Sequence, residues 1–420
     1  MKNSVEEEEG DAFVRAAKAT ESLYHLRDTY YPPNPCDRIS TLQHNSDLIL
    51  NLLDSIPIEQ RKLPAQRAIF EYLRGKVFDV FPDYKKEAED HLSKAVKLNP
   101  SLADAWLCLG NCIWKKGDLL AAKNCLNLAL NKGPNKKILC KLSMLKRKMS
   151  NGADNEAELV EESIQHARDA IALDVKDGDS WYNLGNGYLM NFFVTGASDH
   201  TKLSQSLKAY QIAEKDEGMK SNPDFYFNSA IANKYQENYQ RALSGFEAAA
   251  LRDPGLNAAE EVQNIVNLLD KVDNLLKVHG RDSRIATLAS SSVAVNLISP
   301  YRTVTVDFLS EGLNKALAVE GRVLFFIGSD NITPLYYLLC DSNGTCFVLS
   351  VYHVRPDVIK GGDQLTLLDP CFRNVDLSWK EKRYQFKSIR LNFYAQVLVN
   401  GKTLTRQQAV FTSVDAQHEP

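Results

Sequence analysis

Apolar residues in the middle of the chain recur at helical spacing, and a longer beat lies behind that spacing. From Ala103 onward, Trp106, Leu109 and Ile113 lie three to four residues apart, as on one face of a helix. Ala122, Leu126 and Ala129 repeat the spacing after a Gly-Asp break, and Pro134 ends it. Numbered from Ala103, with Gly110 included, these are positions 4, 7, 8, 11, 20, 24, 27 and 32 of a 34-residue unit. Large residues at 4, 7, 11 and 24 fill the seam between two antiparallel helices. Small ones at 8, 20 and 27 let the backbones approach, and proline cannot continue the second helix.

The frame returns elsewhere. It appears at Gly178 as Trp181, Leu184, Gly185 and Tyr188, and at Pro223 as Tyr226, Ala230, Ala242, Phe246, Ala249 and Pro254. Upstream it is carried by Gly75, Ala88, Leu92, Ala95 and Pro100, and a weaker unit near Lys137 carries Ala167 and Ala170. Repeat starts at 69, 103, 137, 178, 223 and 257 leave room for insertions near 151–157 and 193–200. The pattern resembles the tetratricopeptide repeat, a helix-turn-helix unit that stacks into a superhelix once about three copies are present. Helical segments at 12–30 and 39–54 precede the array, and an amphipathic stretch at 258–278 follows it; both suit caps.

After Gly280 the grammar changes to short apolar, β-branched and aromatic runs at 303–309, 322–328, 334–340, 346–354, 364–370 and 393–401. Asp341-Ser342-Asn343-Gly344 reads as a hairpin turn, and a helical segment is expected near 310–319. Several short strands over this length predict a small closed barrel of the OB type. The expected architecture is therefore an all-α repeat superhelix followed by an all-β OB-fold barrel. Its divisions are capping helices at 1–64, the array with its last cap at 65–280, a linker at 281–300 and the barrel at 301–415.

Charge narrows the function classes. A formal net charge of −3 over 420 residues gives no global field for nucleic acid, and residues 285–420 carry 13 basic and 12 acidic groups. OB barrels often hold single strands on aromatic platforms, and Phe325, Phe326, Tyr336, Tyr337, Phe347 and Tyr352 supply the rings. A local basic cluster, Lys380, Lys382, Arg383, Lys387 and Arg390, accompanies them. A second run, 132–148, holds seven basic groups and no acid. It reads as a solvated helix face or as a surface for an anionic partner.

No run approaches the ~18 apolar residues of a membrane span, and the start is acidic at Glu6–Glu9. The chain is expected to be soluble and intracellular, with its eight scattered cysteines reduced. Neither a metal-ligand set nor a cofactor or catalytic motif is present in the sequence, so no enzyme activity is expected.

In tetratricopeptide arrays the first helix of each repeat lines the concave groove, at positions 2, 5, 9 and 12, with 6 near the rim. These positions are Asp104, Leu107 and Asn111 in one repeat, Asp179, Tyr182, Asn183 and Asn186 in another, and Asp224, Phe227 and Asn228 in the last. Asparagine amides on successive helices can bond both the C=O and the N–H of an extended peptide. Asp179 and Asp224 can select a basic side chain by charge-assisted bonds, although an acid at a helix start is also an ordinary cap.

The runs LSKAVKLNP (92–100), AWLCLGNCIWKKGDLLAA (105–122), DGDSWYNLGNGYL (177–189) and SNPD (221–224) resemble one family of repeat proteins with a C-terminal OB fold, and so does a barrel ending LVNGK (398–402). The resemblance implies a non-enzymatic adaptor of the cytoplasm and nucleus. One role it implies is recognition, at the ribosome, of the Met-Arg-Glu start of nascent tubulin, leading to tubulin mRNA decay. The other is a nuclear scaffold for a p300-type acetyltransferase and coactivators in the stress and DNA-damage response, with possible nucleic-acid contact by the barrel. Carried over by position, Asp224 is the peptide-contacting acid, and Arg147 is the basic residue that recruits the mRNA-decay adaptor. Arg281 and Arg284 are the ribosome- or RNA-facing residues. A further groove acid of the family falls on Ala258 here, so Glu260 or Glu261 would have to substitute.

Overall fold

The computed structural model of the chain describes residues 2–197, 199–279, 301–329 and 334–410. Among these, fourteen α-helices are followed by ten strands. Helix α1 (Lys2–Thr29) and α2 (Pro35–Asp54) are parted by Pro32 and Pro33, and Asn34 caps α2 by accepting from the Cys36 N–H. The short α3 (Ile58–Lys62) leads into five helical hairpins. They are α4 (Pro64–Phe78) with α5 (Lys86–Leu98), α6 (Ala103–Lys115) with α7 (Leu119–Leu130), α8 (Lys136–Ser150) with α9 (Glu156–Leu173), α10 (Gly178–Val194) with α11 (His200–Ala213), and α12 (Pro223–Tyr235) with α13 (Tyr239–Arg252). A long α14 (Ala258–His279) follows them. The first hairpin starts earlier than the repeat frame predicts, because Pro64 supplies a pre-set first helical turn.

The seams are built as the repeat spacing requires. Ala88, Ala95, Ala105, Ala122, Ala129, Leu92 and Leu126 are all fully buried. Truncating Leu126 to alanine there would cost about 2–5 kcal/mol. Glycine is needed at two approaches. A Cβ on Gly75 would meet Leu92 at 2.6 Å, and one on Gly185 would meet the Tyr210 ring at 2.4 Å. The two repeat tryptophans close their preceding turns identically: Trp106 donates to the Pro100 carbonyl (3.0 Å) and Trp181 to the Val175 carbonyl (2.8 Å). No helix among the described residues is long and apolar enough to cross a membrane.

Contacts gather the chain into two compact units. The first comprises Met1–Tyr188, Gln205–Asn228 and Ala248–Leu256. The second comprises Leu189–Ser204, Ser229–Glu247 and Asn257–Pro420. The expected linker, 281–300, lies outside the described residues.

The second unit is organised on a curled sheet of β1 (Arg302–Val304), β2 (Gly312–Leu313), β3 (Leu317–Ser329), β4 (Leu335–Asp341), β5 (Cys346–Val351), β6 (Gln364–Leu368), β7 (Cys371–Trp379), β8 (Lys382–Leu391), β9 (Val397–Val399) and β10 (Lys402–Thr403). The order is β10-β9-β6-β3-β4-β5-β8-β7-β2, with β1 beside β3. The pairs are antiparallel except β1–β3 and β5–β8. Bulges between Val323 and Phe325 and between Phe326 and Gly328 bend the long β3. Side chains alternate along β4 and β5: Tyr337, Leu339, Phe347 and Leu349 fill the barrel core. Tyr336, Leu338 and Val348 take the other face and pack with Val272 of α14.

Three segments of this unit depart from the sequence pattern. The run 303–309 forms only β1 and a 3-10 turn at Val306–Phe308, because Asp341 Oδ2 captures the Val306 N–H and pulls the chain out of the ladder. No helix forms over 310–319, where Asn314 instead bonds Ser310 and Pro370. The β7–β8 hairpin is absent from the expected strands. Its alternation of buried Val375, Leu377 and Trp379 with polar partners carries the signal.

Candidate functional site

In the first unit the groove positions of α10 and α12 converge on a ring of amides and phenols. Asn228 Nδ2 donates to the Tyr182 hydroxyl at 2.9 Å and to Asn186 Oδ1 at 3.3 Å. The Tyr210 hydroxyl donates to the same Asn186 oxygen at 2.6 Å. Tyr182, Tyr210 and Phe225 meet edge-on or tilted, with centroids about 6 Å apart, which fixes the rings behind the amides. Burial pushes the Tyr182 phenol up, with the Asp224 carboxylate adding, so it stays protonated and remains a donor. The Asn186 amide also bonds the Tyr182 phenol, so both half-buried asparagines are held by the rings and by each other.

The predicted residues do not all share this role. Asn183 is only 5 % exposed and committed internally: Nδ2 donates to the Asp179 carbonyl at 2.9 Å, and Oδ1 accepts from Arg147 Nη2 at 3.1 Å. Arg147 is itself buried, also donating to Ser143 Oγ, Ser163 Oγ and the Asn183 carbonyl. The structure therefore places Arg147 between α8, α9 and α10, and not on an open basic face. Its neighbour Lys146 is buried too, paired with Glu162, so the basic run 132–148 is partly interior. Phe227 is buried as well.

Acids dominate the surroundings. Asp179 is exposed, yet desolvation pushes its carboxyl up, with Asp177, Asp216 and Asp28 adding and Lys141 opposing. That combination marks a carboxylate inside a concavity crowded by like charge. Burial pushes the Lys141 ammonium down. The end of α1 shares this neighbourhood: Arg27 and Asp28 act on Lys141, and Asp28 acts on Asp179. The Tyr31 phenol is pushed up chiefly by burial, against Arg38, with Asp224, Asp28 and Asp253 adding. Arg38 holds this end in place by stacking on Tyr31 at 4.3 Å and donating to the Arg27 carbonyl.

In the second unit the aromatic platform is largely interior. Tyr336, Tyr337, Phe347 and Tyr352 are buried, while Phe325 and Phe326 are exposed. The Tyr352 hydroxyl donates to the Tyr235 carbonyl (3.0 Å), Ser350 Oγ to Glu237 Oε1 (2.5 Å) and Arg373 to the Gln236 carbonyl (2.9 Å). His200, from the 193–200 insertion, packs edge-on to Tyr352 and accepts from Arg390. The basic cluster is also spent: Lys382 pairs with Asp270, Arg383 with Asp376 and Lys387 with Asp307, while Arg390 is buried. Of the substitute acids, Glu261 bonds Lys234 at 2.7 Å, Glu260 is exposed and Ala258 is buried. Arg281 and Arg284 lie outside the described residues. Among the described residues no cluster could hold a metal ion.

The contacts of Tyr235–Tyr239 and His200 were not legible as repeat positions. They come from a turn and an insertion, where repeat periodicity carries no information. The insertion length itself was the available signal.

Residues 300–413 match the family model for the tetratricopeptide repeat protein 5 OB fold domain. Human tetratricopeptide repeat protein 5 is 33% identical over 433 aligned residues, covering 97% of each chain. The mouse protein of that name is 32% identical over 422, covering 94% of each. Among solved structures, YrrB, described as a TPR protein with an unusual peptide-binding site, matches at 19% identity and a TM-score of 0.34, over 49% of this chain and 94% of that one. A repeat array with an OB-fold barrel, aligned over nearly its whole length with these relatives, belongs to the tetratricopeptide repeat protein 5 family.

Proposed function

We propose that this protein-binding adaptor is non-enzymatic and takes in its groove the N-terminal Met-Arg-Glu peptide of nascent tubulin at the ribosome, leading to tubulin mRNA decay. The observation that carries the reading is the convergence of the half-buried amides of Asn186 and Asn228, with the acid Asp224 on the same helix as Asn228. An extended peptide backbone bonds to side-chain amides, and an early arginine needs an acid. Asp179 and its acidic neighbours add to the preference for a cation. Arg147 would serve the decay adaptor only indirectly, by fixing Asn183 and the start of α10.

Titration of the full chain with a fluorescent peptide beginning Met-Arg-Glu tests this. Replacing the peptide's arginine by alanine, or Asp224 by asparagine, should each weaken binding about 10–100-fold, the worth of one charge-assisted bond. The double change should cost little more than either alone. Equal affinity for the arginine and alanine peptides would sink the reading. The nuclear coactivator scaffold, which asks no arginine of its ligand, would then take its place.

A further inference from the structure

We infer that Cys340 and Cys346 form a reversible, peroxide-driven disulfide across the β4–β5 hairpin. The two residues are register partners on adjacent antiparallel strands. The Asp341 N–H donates to the Thr345 carbonyl at 3.1 Å. That makes 341/345 a hydrogen-bonded position and 340/346, one step along, a non-hydrogen-bonded one. At such positions facing Cα atoms stand about 4.5 Å apart and the side chains approach most closely. A disulfide spans Cα separations of ~4.4–6.8 Å, so the hairpin already holds the two sulfurs within bridging range. Spacings typical of such positions lie at the short end of that range, which favours a bond that reductants open again.

Side-chain placement agrees with the backbone. Both thiols lie on the face of the sheet turned away from the barrel core, packed with Leu324 and each other. Cys340 is fully buried, whereas Cys346 is partly exposed and flanks the cluster under Val272 of α14. The hairpin geometry is held independently by Asp341, whose Oδ1 accepts from the Asn343 and Thr345 N–H groups. The Cys340 thiol donates to the Asp341 carbonyl at 3.5 Å, and the neighbouring sulfurs act on each other, holding the Cys346 thiol below its ordinary value and pushing that of Cys340 up. Cys346 is thus the attacking sulfur and Cys340 the resolving one. By contrast, burial pushes Cys108 and Cys112 up to about 12, which leaves them inert thiols.

The chemistry balances with hydrogen peroxide as oxidant. The Cys346 thiolate attacks one peroxide oxygen, the O–O bond breaks, and a sulfenic acid and hydroxide form. The Cys340 sulfur then attacks the sulfenic sulfur, forming the S–S bond. Its proton and the sulfenic hydroxyl leave as water. Two electrons pass from the two sulfurs to the peroxide.

The experiment is peroxide treatment of the full chain, alkylation, and mass spectrometry of the tryptic peptide 323–360, which carries both cysteines because Arg355 precedes Pro356. The expected result is a peptide lighter by two hydrogen atoms and closed to alkylation, which dithiothreitol returns to two alkylated cysteines. In Cys340→Ser the resolving sulfur is gone, so Cys346 should instead be trapped as its dimedone adduct, several-fold more than in the unchanged chain. Two alkylatable thiols after treatment, or no gain in dimedone labelling of Cys340→Ser with unchanged circular dichroism, would overturn the proposal. If Cys340→Ser fails to fold, the alkylation result on the unchanged chain decides alone.

Discussion

The groove of the repeats and the outer face of the barrel sheet begin as equals in the sequence: each carries rings, amides and a run of charge. They end differently. Around Asp179 the acids Asp177, Asp216 and Asp28 gather on an exposed carboxylate, opposed by Lys141, while Lys136 pairs with Asp177 and Arg27 with Asp28. On the sheet, Lys382, Arg383 and Lys387 each have a carboxylate, and Tyr336, Leu338 and Val348 are closed over by α14. Residue types propose a surface, but the chain's own packing decides whether it stays one. A platform already paired and covered is core, whereas acids gathered in an open concavity leave room for a cationic ligand.

The strongest way to break this contrast is to cut into the covered face. Tyr352 is fully buried, bonded to Tyr235 and packed against His200. Tyr352→Ala should destabilise the protein by about 3–5 kcal/mol, as for other large aromatic truncations in a core. Chemical denaturation read by tyrosine fluorescence measures it. A loss below ~1 kcal/mol would mean that the face is an open surface and that its rings are available to ligands.

How much of this was legible beforehand depended on periodicity. The helical hairpins could be read because Trp106, Gly110 and Ala122 recur in a fixed frame, and the frame also pointed to Asp179, Asn186, Asp224 and Asn228. What the frame could not give was which amides were already spent. Asn183 and Asn186 are three residues apart, yet only Asn183 is bound by Arg147, a partner from another repeat. The β7–β8 hairpin was missed because its outward positions are strongly polar, which masks the alternation of Val375, Leu377 and Trp379. The insertion at 193–200 looked like slack, but it delivers His200 to the second unit.

Acid sharpens the contrast, since the two regions respond with opposite sign. Burial, then Arg390 and His353, push His200 down to about 2, so the folded state holds it neutral. In the unfolded chain it titrates near ~6.5. The unfolded state therefore binds the extra proton below that pH, and the stability His200 contributes is full above ~6.5 and lost as pH falls, at up to about 1.4 kcal/mol per unit. Asp179 is raised instead, so protonation relieves its crowding. Denaturation midpoints between pH 7 and 5 should fall for the unchanged chain and flatten in His200→Phe. An unchanged slope in that variant would remove His200 as the cause.

The smallest expected effect is none at all, and it bears on the barrel's remaining exposed rings. Phe325 and Phe326 are exposed, and Phe325 lies 4.4 Å from His279 in a tilted stack. Single-strand binding needs successive base-sized platforms beside unpaired cations. Of the five basic residues in the sequence cluster, Lys380 alone makes no ion pair and is exposed among the described residues. The cluster therefore contributes a salt slope near one counterion, short of the several contacts that make binding measurable at physiological salt. Fluorescence anisotropy with a labelled single-stranded oligonucleotide should therefore show no saturable binding to the full chain at 150 mM salt. The comparison would fail if binding appeared that weakened steeply with salt and was lost in Phe325→Ala. The sheet would then be a second working surface and not a filled one.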